Sequence, residues 1–77
     1  DLDRGEIEAI AAHEHIPMTI AAELSECLLA SPEGVCRLHT MILENLREAI
    51  EDGQDYRVQG LMETYEHLQR THPLPLH

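Results

Sequence analysis

Cys36 and His39 stand three residues apart, and positions i and i+3 share one face of an α-helix, so a thiol and an imidazole would project side by side there. Cys27 lies at the end of the preceding helical segment. Thiolate plus imidazole is a ligand set for zinc and related transition metals, which makes Cys27, Cys36 and His39 the leading metal-binding or redox-sensing candidates. His13 or His15 could supply a fourth ligand. Two features weigh against a metal. The tight C-x-x-C knuckle of strong zinc motifs is missing. On a helical wheel His39 also falls in the core stripe, Cys36 on its flank and Cys27 in the stripe of its own helix, so ordinary burial accounts for all three. The expectation is therefore no cofactor, with zinc or another transition metal as the alternative. A Cys27–Cys36 disulfide would need Cα atoms within about 7 Å, closer than the ~8–10 Å between packed helix axes.

The remaining polar groupings are weaker. His13-Glu14-His15 looks like a ligand cluster, but adjacent helical side chains point about 100° apart, and His near a helix C-terminus is favoured by the dipole. Its expected role is to end the first helix. Glu63 and His67 are one turn apart and read as a solvated pair on an outer face. The sequence has no glycine-rich phosphate loop, no G-x-S-x-G elbow and no paired inward carboxylates, so no catalytic residue is assigned and the chain is not expected to be an enzyme.

Composition narrows the partners. The 77 residues carry 5 basic residues, all Arg, against 15 acidic ones, for a formal net charge of −10. Nucleic-acid affinity depends on cationic neutralisation of phosphates, and anionic membrane surfaces repel such a chain too, so neither is an expected partner. No apolar run reaches the ~18 residues of a membrane span, and the first residues are acidic where a secretory signal is basic and then apolar. A cytoplasmic protein is expected. There is no Phe or Trp, and a core of aliphatic side chains at this length is marginal, which favours self-association or a partner.

The elements that must position these residues are helices. Three interruptions divide the chain: Ile16-Pro17, Ala30-Ser31-Pro32-Glu33-Gly34 and Asp52-Gly53-Gln54-Asp55. Ser31 is a predicted N-cap with Pro32 next, Gly53 the left-handed residue of a turn, and Asp55 the cap of the last helix. The first helix, about Asp3 to His15, has only Ile7, Ile10 and Ala11 on its stripe and should be weakly held. The second, about Pro17 to Ala30, has Ile20, Leu24, Cys27 and Leu28 on one face and Met18, Ala22 and Leu29 on the other. The third, about Pro32 to Asp52, lines Val35, Leu38, Ile42, Leu46, Ala49 and Ile50 along one stripe. The fourth, about Asp55 to Thr71, repeats this with Val58, Leu61, Met62, Tyr65 and Leu68. A short turn makes the last two an antiparallel hairpin. The fold class is all-α, a small bundle of three to four helices over residues 1–72, with 73–77 a flexible tail.

Two segments resemble known helical motifs. Ile10 to Leu24, with Ala11, Ile16 and Leu24 around a short break, resembles a helix-turn-helix, which would imply DNA binding. From Pro17 to Ala30, however, there is no basic residue, and Glu23 and Glu26 would face phosphates. The hairpin of the last two helices resembles a single tetratricopeptide hairpin over less than half the chain. That resemblance implies a protein-binding module and assigns no residues, because the first two helices do not restate the repeat. The function expected is a small acidic protein-protein interaction module, adaptor, regulatory or chaperone-like. Its partner is another protein or a second copy in a homo-oligomer, met through Met18, Ala22 and Leu29.

Overall fold

The computed structural model describes residues 2–75, which form four helices: α1 (Arg4–Glu14), α2 (Met18–Leu29), α3 (Pro32–Glu51) and α4 (Asp55–Thr71). No strand occurs among the described residues. Each boundary has a local cause. Asp3 caps α1 through a capping box, its side chain accepting from the Glu6 N–H while the Glu6 side chain accepts from the Asp3 N–H. His15 closes α1 in the left-handed region at φ 58°. Pro17, extended at φ −64°, precedes α2. Ser31 caps α3 by accepting from the Gly34 N–H at 3.0 Å, with Pro32 in the first turn. Gly53, at φ 67°, turns the chain between α3 and α4. Asp55 does not cap α4; Gln54 holds that position without a side-chain bond to the helix backbone, and Asp55 sits in the first turn where its charge favours the dipole.

The four helices pack into a slab of 34 × 30 × 16 Å, about two helix layers thick. α1 and α3 occupy its middle: α1 packs on α2, α3 and α4, and α3 on the other three, whereas α2 and α4 do not meet. The core joins Ala9 and Ile10 of α1, Ala21 and Leu28 of α2, Leu38, Met41 and Ile42 of α3, and Leu68 of α4. Buried Asn45 donates from Nδ2 to the Ala9 carbonyl at 2.8 Å and ties α3 to α1.

This arrangement corrects the sequence reading in all four helices. α1 is a central element rather than a weakly held one, since Glu6, Ala9 and Ile10 are all buried. Its stripe is short in sequence, but small Ala residues let three neighbours approach at once. α2 is rotated from its expected face: Ala21, Ser25 and Leu28 are buried, while Ile20 and Cys27 are exposed. Ser25 is accommodated because its hydroxyl donates to the Ala22 carbonyl at 2.6 Å, leaving a narrow strip of small residues for close packing. In α3 the last inward position belongs to Ala49, so Ile50, about 100° further round, turns outward; in α4 Met62 does likewise.

At the α2–α3 corner Gly34 is buried, and a Cβ placed there would lie 1.9 Å from the Leu28 carbonyl oxygen. The last turn of α2 thus rests directly on the first turn of α3. Of the tail, Pro73 and Pro75 lie beside Leu29 and Val35 at that corner; residues 76 and 77 are outside the described residues. No helix among the described residues is long and apolar enough to cross a membrane.

Candidate functional site

The cysteine–histidine set is not assembled. Cys27 and Cys36 are free and exposed, on the outer faces of α2 and α3, so the core reading does not describe them, and among the described residues they do not converge with His39 as a ligand group. His39 is buried with both ring nitrogens engaged. Its Nε2 lies 2.7 Å from the His72 carbonyl oxygen, which can only accept, so Nε2 carries the hydrogen and donates. Nδ1 lies 3.1 Å from the Tyr65 hydroxyl, the two rings meeting edge-on at 5.3 Å and 84°. Nδ1 is left facing the Tyr65 hydroxyl, and His39 therefore pins α3 to the end of α4 with both ring nitrogens engaged within the protein.

Among the described residues, potential metal ligands converge elsewhere, at Asp3, Glu6 and His67. The sequence reading placed His67 on an outer face with Glu63. In the structure Glu63 is exposed, while half-buried His67 is turned toward the start of α1. The available signal was Asp3-x-x-Glu6, a capping-box spacing; nothing local could have paired it with a residue sixty positions later.

His13, at the end of α1, bridges two carboxylates, with Nδ1 2.6 Å from Glu14 Oε2 and Nε2 2.6 Å from Glu44 Oε1. Both partners are acceptors, so only the protonated ring satisfies both contacts. Burial lowers the pKa of His13, but the hydrogen bonds to Glu44 and Glu14 and their charges outweigh it and hold it above the ordinary histidine value. His13 and Glu44 line an open groove of about 390 Å³ that also includes His15, Arg47 and Arg57. A raised folded-state pKa stabilises the fold fully below the unfolded value of about 6.5, and that contribution is lost as pH rises through the folded value. His13→Ala should therefore remove stability at pH 5.5 and have a smaller effect at pH 8.5, measured by urea denaturation at both pH values. An equal effect at both would show that the bridge carries no charge.

Of the three expected partner-binding residues, Met18 is exposed at the start of α2, Ala22 is half-buried and Leu29 packs against the core. They do not form an uncovered face, because the rotation of α2 carries this flank inward. The larger apolar exposure lies on the α3–α4 hairpin. Leu43 and Ile50, 43% and 59% exposed, are seven residues apart and so fall on one line of α3, next to half-buried Leu46. Met62, 52% exposed, stands on antiparallel α4 beside half-buried Val58 and Tyr65. The chain matches no protein-family model, no curated protein and no solved structure.

Proposed function

We propose that this chain is a small protein-protein interaction module whose docking face is the outer surface of the α3–α4 hairpin, and that it takes a basic amphipathic helical segment of a partner protein. The observation that carries this reading is the apolar line of Leu43 and Ile50 with Met62 across the hairpin, left in solvent by a chain with few large side chains to spare for its core. Apolar side chains at helical spacing along a shallow seam are what an amphipathic helix lays its own apolar face against. Charge selects the occupant. With −10 on each copy, a second copy would bring like charges together, whereas a basic segment is attracted and steered.

The test uses a synthetic amphipathic helical peptide with leucines at i, i+3 and i+4 spacing and lysines elsewhere, followed by amide chemical-shift changes. Shifts concentrated around Leu43, Ile50 and Met62, weakened by salt and abolished by Ile50→Glu at unchanged helicity, support the proposal. Shifts spread evenly over the acidic surface, or unaffected by Ile50→Glu, overturn it. Concentration-dependent dimerisation that Ile50→Glu removes would assign the face to a second copy instead.

A further inference from the structure

The geometry points to a binding site for a divalent transition-metal ion of the zinc type, formed by Asp3 Oδ2, Glu6 Oε2 and His67 Nδ1 where the start of α1 meets α4. It shares no residue with the docking face.

The site is set up by the helix cap. The capping box uses one oxygen of each carboxylate: Asp3 Oδ1 accepts from the Glu6 N–H at 3.0 Å and Glu6 Oε1 accepts from the Asp3 N–H at 2.9 Å. Each residue is thereby fixed with its second oxygen turned toward His67. His67 Nδ1 is 3.3 Å from Asp3 Oδ2 and 3.3 Å from Glu6 Oε2, and all three ligand atoms lie within 4.8 Å of one another.

Burial supplies an independent observation. The Glu6 side chain is 0% exposed, and neither its Oε2 nor His67 Nδ1 has a hydrogen-bond partner. A carboxylate oxygen removed from water without a hydrogen bond is costly, and native interiors rarely leave one so. The two 3.3 Å separations leave the three ligand atoms close enough to share one ion bound at about 2.0–2.2 Å. One imidazole with two carboxylates suits zinc, manganese, cobalt or ferrous iron; calcium and magnesium favour all-oxygen shells. Asp3 is half exposed, which gives the ion an entry path and leaves water to complete its shell.

A bound ion would clip residue 3 to residue 67 and lock α1 against α4. The experiment uses the full chain with Cys27→Ser and Cys36→Ser, both at exposed positions, so that thiols contribute nothing, stripped with chelator and then titrated with Zn²⁺ and Co²⁺. At a hundredfold excess over Kd the thermal midpoint should rise by roughly 10–20 °C, and Co²⁺ should give the visible absorption of a low-coordinate site. Both responses should disappear in His67→Ala and in Asp3→Asn; asparagine keeps the N-cap, so that variant should retain its metal-free midpoint. A parent chain with no midpoint shift and no cobalt spectrum overturns the proposal, as do responses that survive both substitutions. A pH-dependent midpoint that His67→Ala abolishes, without any metal response, would show that a proton rather than a metal fills the site, and would also overturn it.

Discussion

Gly34→Ala is expected to cost about 3 kcal/mol or more, a large part of the ~4–12 kcal/mol available to a domain of this size. A Cβ at position 34 would sit 1.9 Å from the Leu28 carbonyl oxygen, 2.6 Å from its carbonyl carbon and 2.8 Å from its Cα. All three are backbone atoms at the end of α2, so no side chain can swing aside. Relief requires α2 to lift from α3, which would uncover Leu28 and Leu38. Gly53→Ala is the instructive comparison. That residue has nothing within 4 Å of its virtual Cβ, and its requirement is the positive φ of 67° alone, worth about 1–2 kcal/mol. Urea denaturation of both variants should rank Gly34→Ala as much the more damaging; the reverse order would mean that the α2–α3 corner opens easily.

Ile10→Ala should lower stability by about 3 kcal/mol, within the 2–5 kcal/mol typical of emptying an aliphatic core position, and lower the thermal midpoint by more than roughly 10 °C. Ile10 is 0% exposed and lies in the core shared by all four helices. The neighbouring Ala9 carbonyl also accepts from Asn45, so α1 cannot detach without breaking a buried hydrogen bond to α3. The loss should therefore appear as global destabilisation, with amide exchange accelerated in α3 as much as in α1. Exchange accelerated in α1 alone, with the rest of the chain unchanged, would return α1 to the peripheral role its thin apolar stripe suggests.

The helices themselves were legible because their signals are local. Pro17, Ser31-Pro32 and Gly53 constrain backbone angles whatever surrounds them, and the observed boundaries fall within a residue or two of where they point. Stripe direction was less legible. The sequence favoured Ile20, Cys27, Ile50 and Met62 as inward residues because they are apolar, yet the inward places went to Ala21, Ser25 and Ala49. Where helices cross closely, side-chain volume decides which residue faces the neighbour, and a small residue wins over a more hydrophobic one.

The polar sites divide along the same line. Asp3-x-x-Glu6 is a local pattern, and the sequence alone determines that it can cap a helix. Cys36-x-x-His39 is equally local, but its members face different surroundings: the His39 ring is spent on Tyr65 and His72, while Cys36 looks into solvent. That His67 meets Asp3 and Glu6, or that Glu44 meets His13, depends on α1 lying across both α3 and α4. The helices, their ends and the acidic charge could be read from the chain alone, because backbone preference and formal charge belong to single residues and their neighbours. Which side chains meet could not be, because a meeting between residues 6 and 67 is set by the packing of whole helices.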